Sequence, residues 1–291
     1  MWANPEEARS DFVLAAAAAV LGPLLLRLLA PLGLRALQGR GPVGAAFFVL
    51  VAFAFTGLVP LLLARHRGEG LAAFGLDAPR QAMSAGLLAA VPLVAVGMLQ
   101  WWAVTRSLPK ALTGVFAQVI DDPFGLVFAA LGSLALFVGS VLLFTFLTVK
   151  ARDGFARTEL AQLQMLRTLG LAAAGAGAVV GLLLLPIRRI ALGAALLEPL
   201  ALAAVVLLAD RLVQPRVTTS RAAILGPVIV ALLLQLELFG GAFLTSLREG
   251  LLAAGLVVVV AVLVETRQTA WAVVPLFAAV SFYAVSFRPV L

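Results

Sequence analysis

The sequence predicts an all-α fold, a polytopic transmembrane helix bundle with eight or nine spans. Hydrophobic residues make up 63% of the 291 residues and charged residues only 12%, whereas soluble globular chains average about 45–50% and about 25%. The apolar residues form continuous runs, most of them near the roughly 20 residues that a helix needs to cross a hydrocarbon core of about 30 Å. Because these runs do not alternate every second residue, helices fit them and a transmembrane barrel does not.

Residues 1–291 are expected to form a single integral membrane domain, because the gaps between apolar runs are too short to hold a soluble core. Glu6, Glu7 and Asp11 precede the first run. This is the wrong polarity for a secretory signal peptide, so the first run is interpreted as a retained transmembrane helix. The eighth span is short and is therefore drawn as tilted, re-entrant or paired with the ninth. The predicted spans cover residues 12–34, 43–64, 84–104, 124–149, 169–187, 190–209, 223–244, 250–264 and 270–287.

Arginine and lysine in the connecting segments predict the orientation. With the N-terminus inside, the inner segments hold 12 of the 21 cations and the outer segments hold 8. Cytoplasmic loops carry such an excess of positive residues. We therefore expect a multi-pass protein of the bacterial inner (plasma) membrane, with a cytoplasmic N-terminus.

Composition also limits the chemistry. The chain has no cysteine, and His66 is its only histidine, which excludes disulfides, thiolate metal sites and metal sites built from several histidines. No nucleophile lies beside a base in the pattern, which disfavours an enzyme without excluding one, and no cofactor is expected. The net charge of +7 is spread over short loops, which favours the lipid bilayer rather than nucleic acid as the partner.

Charged residues inside apolar spans are the first candidates for a site, because each is costly there. Glu198 lies in the sixth span directly before Pro199, Glu237 lies in the seventh with Gln235 nearby, and Arg27 lies in the first. One interpretation is a buried acidic pair that binds a proton or cation, with Arg27 as counter-ion. The other is that the carboxyls hydrogen-bond between helices or to backbone groups freed by proline, while Arg27 reaches toward the headgroups.

The segment 150–167 is predicted to be an amphipathic helix in the cytoplasmic interface, because apolar residues recur there near helical spacing with charges between them. Such a segment could dock other membrane proteins or a second copy of the chain. The candidate docking residues are Arg152, Phe155, Arg157, Leu160 and Leu163.

Small residues recur every three or four positions on the fifth span, at Gly170, Ala174, Gly177 and Gly181. This small-xxx-small spacing lets helices approach closely and indicates packing rather than a site.

Two segments resemble a known family. Residues 67–76 (RGEGLAAFGL) resemble the connection between the second and third helices of the CPBP membrane family (CAAX protease and bacteriocin-processing), and residues 148–155 (TVKARDGF) align with its Glu-Glu-x-x-x-Arg-Gly motif. Thr148 and Val149 stand where the two glutamates would be, and Asp153 where the arginine would be. The later helices of the family supply histidines, and this chain has none beyond Gly75. The resemblance covers about residues 40–190 and implies a related bundle without its catalytic motifs.

Three hypotheses remain open on sequence. The favoured one is a non-catalytic membrane subunit or scaffold of a bacterial membrane protein complex. A degenerate CPBP-like protein is one form of this hypothesis. The second is a proton- or cation-coupled transporter or channel that uses Glu198 and Glu237. The third is an intramembrane enzyme that acts on lipid or peptide.

Overall fold

The structure, a computed structural model, describes residues 4–29, 50–76, 83–105, 123–155, 159–186, 192–212, 218–235, 243–267 and 269–286. Within these ranges the chain is helical apart from one short two-stranded ribbon. The predicted all-α class is confirmed at this level.

The described ranges contain nine helices. We number them α1 Pro5–Leu29, α2 Leu50–His66, α3 Met83–Thr105, α4 Pro123–Gly154, α5 at 162–184, α6 Leu192–Leu212, α7 Arg221–Gln235, α8 Phe243–Arg267 and α9 Val274–Ser286. Helices α2 and α5 contain π-helical segments at Ala54–Leu58 and Leu166–Gly170. Short 3₁₀ turns at Gly70–Phe74 and Ala270–Ala272 precede α3 and α9. Strands β1 Glu159–Ala161 and β2 Thr218–Ser220 pair antiparallel.

Helix α1 begins with a polar cap. The Asn4 Oδ1 accepts a hydrogen bond from the Glu6 backbone N–H at 3.2 Å, and Glu6 and Glu7 occupy the first turn. Side-chain acceptors and negative charge both stabilise a helix start, where backbone N–H groups lack partners and the helix dipole is positive.

Helices α4 and α8 form the centre of the bundle. Helix α8 packs against α4, α5, α6 and α7, and α4 packs against α1, α2, α7, α8 and α9. Every residue from Val257 to Val264 in α8 is buried. A helix that is apolar on all sides belongs inside a bundle, which explains why this valine-rich stretch lies at its middle.

Three helical stretches in the described ranges are long and apolar enough to cross a membrane: Ala130–Gly154, Leu166–Leu184 and Phe243–Arg267, with hydropathies of 2.2, 1.6 and 2.3. The outer faces of the bundle carry large apolar side chains. Leu62, Leu183 and Leu200 are 63%, 60% and 61% exposed. Apolar helices with apolar outer surfaces indicate a membrane protein.

Two sequence predictions about elements are corrected. The segment 150–167 is not one amphipathic helix: α4 ends at Gly154, and residues 159–161 form β1. Backbone pairing with Thr218–Ser220, far along the chain, replaces helical hydrogen bonds at β1. The eighth predicted span, 250–264, belongs to a longer helix that begins at Phe243 and ends at Arg267. The predicted span was too short because the first turns of this helix contain polar residues.

Candidate functional site

Charged side chains gather at one end of the bundle. The starts of α1 and α5 lie there with the ends of α2, α4, α6 and α8, because ion pairs or hydrogen bonds join these termini to one another. We call this region the charged end. Its defining residues are Asp11, Arg67, Lys150, Arg152, Arg167, Asp210, Glu265 and Arg267.

The most deeply buried charges of the charged end are Asp11 and Lys150, whose side chains are 1% and 3% exposed. The Lys150 Nζ lies 3.2 Å from Asp11 Oδ2 and donates to both oxygens of Glu69 at 2.6 and 2.7 Å. The same amine lies 5.4 Å from the centre of the Phe146 ring, within the range of a cation–π contact. A buried cation is thus surrounded by two carboxylates and an aromatic face.

Arg67 holds Asp11 from the other side. Its Nη2 donates to Asp11 Oδ1 at 3.1 Å and its Nη1 lies 3.1 Å from Glu7 Oε2. The hydrogen bond to Asp11 raises the pKa of the Arg67 guanidinium above its ordinary value, with additional attraction from Glu7 and Glu69. Arg67 therefore keeps its charge at every physiological pH, and Asp11 lies between Arg67, which follows α2, and Lys150, near the end of α4.

Helix α4 makes further contacts at the same end. Arg152 pairs with Asp153 at 2.8 Å and lies 3.5 Å from Glu265 at the end of α8. Arg9 of α1 donates to the Gly154 carbonyl and lies over the Phe155 ring at 5.8 Å. These contacts join the end of α4 to both α1 and α8.

The turn after α2 is held by residues that lie much later in the chain. The Thr269 hydroxyl donates to the Gly75 carbonyl at 2.7 Å, and the Trp271 Nε1 donates to the Leu76 carbonyl at 3.2 Å. Gly75 has φ +62°, a left-handed conformation that glycine adopts without strain. The segment 75–76 is therefore fixed against the turn that precedes α9.

A separate ion pair lies near the opposite end of the bundle. The Arg248 Nη2 of α8 lies 2.7 Å from the Glu198 Oε2 of α6, and the two side chains are 4% and 22% exposed. Glycine at position 181 of α5 leaves the space that this pair needs, since a Cβ there would lie 3.1 Å from Arg248 Nε and 2.9 Å from the Ala195 carbonyl. The pair ties α6 and α8 together beside α5.

The Glu198 carboxylate is paired with Arg248, and its predicted pairing with Glu237 stays a prediction. Glu237 lies outside the described residues. Gln235 is the last described residue of α7 and is exposed. Arg27 lies in α1, and its side chain is not among those described.

The candidate docking residues fall on several elements. Arg152 belongs to the charged end, and Phe155 packs edge-on against Phe12 with ring centres 5.6 Å apart. Leu160 lies in β1 opposite Thr219, and Leu163 lies in the first turn of α5. Arg157 lies outside the described residues.

Sequence reasoning missed Asp11, Lys150, Glu69 and Arg248. Lys150 had a signal, because it ends a long apolar run and is one of only two lysines. Arg248 also had one, because the apolar run 250–264 is too short for a full span and extending it backwards would have included this arginine. Their partners are distant in sequence, which no local pattern reveals.

In the part of the chain that the structure describes, no group of three or more histidine, cysteine or acidic residues is placed to hold a metal ion. Comparisons with protein-family models, curated proteins and solved structures find no match to this chain.

Proposed function

We propose that this protein is a multi-pass scaffold or subunit of a bacterial inner-membrane protein complex, with about nine spans and the charged end in the cytoplasm. The observation that carries the proposal is that charged side chains join helices within the bundle. Asp11 with Lys150, and Glu198 with Arg248, tie one helix to another at 3.2 and 2.7 Å. Charges engaged in this way stabilise one arrangement of helices.

The alternation of helix ends supports the span number. Odd-numbered helices α1 and α5 begin at the charged end, and even-numbered helices α2, α4, α6 and α8 end there. Single spans that pass back and forth through a bilayer produce this arrangement. The excess of cations in the same segments favours the cytoplasm as their location.

The resemblance to the CPBP family fits a scaffold that lacks proteolytic chemistry. The two segments that carry the resemblance meet, since Lys150 contacts Glu69. Just before the second segment, the Phe146 ring lies 5.8 Å from the Phe74 ring. Thr148 stands in the position of a family glutamate, and its hydroxyl donates to the Phe144 carbonyl of its own helix at 2.7 Å. We infer a CPBP-like bundle in which the side chain at this position hydrogen-bonds within its own helix instead of taking part in catalysis.

The experiment is purification of the tagged chain from native membranes in lipid nanodiscs, with quantitative mass spectrometry of the material that copurifies. We expect at least one other membrane protein in a fixed, near-integer ratio to the chain. The same ratio is expected for Glu198→Gln, because the charge of Glu198 acts within the bundle. A chain that is recovered alone, at the mass of a monomer, would contradict the proposal.

The second candidate is a proton- or cation-coupled transporter, and the partial exposure of Glu198 favours it. A charged residue within an apolar helix often marks an ion pathway, and the Glu198 side chain is 22% exposed while its partner Arg248 is 4% exposed. This function predicts that Glu198→Gln abolishes ion-driven uptake in proteoliposomes. Uptake that is unchanged in the variant would remove Glu198 from any coupling mechanism.

A further inference from the structure

Arginines from three helices converge at the end of helix α6. Arg211 is in the last turn of α6. Arg167 of α5 reaches Asp210 through two hydrogen bonds of 2.9 and 2.7 Å, and Arg267 of α8 donates from Nη2 to the Leu212 carbonyl at 3.3 Å. Three cations therefore lie at this helix end, and one of them, Arg167, is paired with Asp210.

These arginines face outwards. The Arg167 side chain is 61% exposed, and Arg211 and Arg267 are exposed. The carbonyl end of a helix carries partial negative charge, which stabilises guanidinium groups there. Contacts with the end of α6 thus hold the Arg167 and Arg267 side chains, while all three arginines remain exposed.

An apolar strip continues from the arginines along the bundle. On α6, Leu196, Leu200 and Leu207 are 36%, 61% and 52% exposed, and their spacing places them on the same face as Arg211. These side chains extend the surface from the charged end toward the middle of the helix.

The neighbouring helix α5 repeats the arrangement. Leu171 is 37% exposed and lies one turn after Arg167, on the same face. Gly175 lies one turn further, and a Cβ at this position would meet nothing within 4 Å. Helices α5 and α6 are in contact, so together they present a cationic end and a long apolar surface.

We propose that this α5–α6 face is a binding site for an anionic phospholipid. Arg211 and Arg267 hold the headgroup phosphate, because guanidinium forks match phosphate oxygens, and the acyl chains lie along Leu200 and Leu207. The inference rests on the proposed location of the charged end at a membrane surface. It does not depend on whether the protein is a subunit or a transporter.

The test is native mass spectrometry of the purified full chain in detergent, titrated with phosphatidylglycerol or with phosphatidylcholine of the same acyl chains. We expect tighter binding of phosphatidylglycerol. An arginine at a membrane surface contributes about 1 kcal/mol to the attraction of anionic lipid, or roughly fivefold in affinity. Arg211→Gln with Arg267→Gln should therefore weaken phosphatidylglycerol binding by about 25-fold.

The matched control is Arg65→Gln with Arg221→Gln, which removes the same charge from exposed positions on α2 and α7. Its binding should equal that of the wild type. An equal loss in both double variants would show a diffuse attraction, and equal affinity for the two lipids would show no headgroup recognition. Displacement of the lipid by inorganic phosphate at the same concentration would show a headgroup-only anion site. Each of these three results overturns the proposal.

Failure here is distinguishable from failure of the proposed function. Lipid binding is measured on the isolated chain, whereas the subunit role is measured by copurification from native membranes. Circular dichroism and gel filtration of the variants establish that a loss of binding does not come from unfolding.

Discussion

The Lys150 amine lies where α4 ends, at 2.6–2.7 Å from Glu69 and 3.2 Å from Asp11. Its side chain is 3% exposed, so these carboxylates, rather than water, contact the amine. Removing one member of a buried ion pair leaves an uncompensated charge, which costs far more than an exposed pair contributes. This residue should therefore be among the most sensitive charged positions of the chain.

Replacement Lys150→Met should lower the free energy of unfolding by about 3 kcal/mol, because Asp11 loses one of its cations in a buried place. The measurement is reversible unfolding in lipid nanodiscs, followed by Trp fluorescence. Exposed Arg65→Met is the control and should change the stability by about 0.5 kcal/mol or less. The double variant Asp11→Asn with Lys150→Met should recover part of the loss, and a purely additive double variant would contradict direct coupling.

Arg248 gives a second prediction at this scale. Arg248→Ala should destabilise the protein by about 2 kcal/mol, less than a fully buried pair would, because the side chain of its partner Glu198 is 22% exposed. The double variant Arg248→Gln with Glu198→Gln should be more stable than Arg248→Ala, since no charge is left without a counter-charge. Equal melting temperatures for Arg248→Ala and the wild type would show that the pair contributes nothing to stability.

At the scale of elements, the helix pattern was the part most open to sequence reasoning. The third predicted span, 84–104, corresponds to Met83–Thr105, and the sixth, 190–209, to Leu192–Leu212. Long apolar runs specify such helices locally. The start of α8 was wrong because Arg248 lowers the local hydropathy, while its stabilising contact with Glu198 lies on another helix. The β1–β2 pairing at 159–161 was missed for the same non-local reason.

The small-residue face of α5 was predicted from spacing and its packing role is confirmed. A Cβ at Gly170 would lie 2.7 Å from Val206, and one at Gly177 would lie 2.8 Å from Leu252. Ala174 is 4% exposed. This face therefore lies against α6 and α8, where only small residues let the helices approach closely.

Gly177→Leu should destabilise the protein by about 2 kcal/mol or prevent its folding, because the larger side chain cannot enter the contact with α8. The matched control on the same helix is Gly175→Leu, since nothing lies within 4 Å of a Cβ at this position. The control should retain the wild-type melting temperature. Equal effects at the two positions would be evidence against the close contact of α5 with α8.

At the scale of the whole molecule, we propose a nine-span membrane bundle whose charged end lies in the cytoplasm. The contacts that define this end join elements that are far apart in sequence, as in Arg152 with Glu265 and Lys150 with Asp11. The cation excess predicted which segments share a side, but the pairing of individual charges required the three-dimensional arrangement. One experiment can test both the side of the membrane on which the charged end lies and the number of spans.

The chain has no cysteine, so a single introduced cysteine reports only its own location. The most direct measurement is labelling of such variants in intact cells with a membrane-impermeant maleimide, compared with labelling after the membrane is opened. Positions 65 and 267 at the charged end should be labelled only after opening. Positions 40, 106, 188 and 288 in the predicted outer segments should be labelled in intact cells. Labelling of positions 65 and 267 in intact cells would contradict the cytoplasmic location, and protection of position 288 would contradict a ninth span.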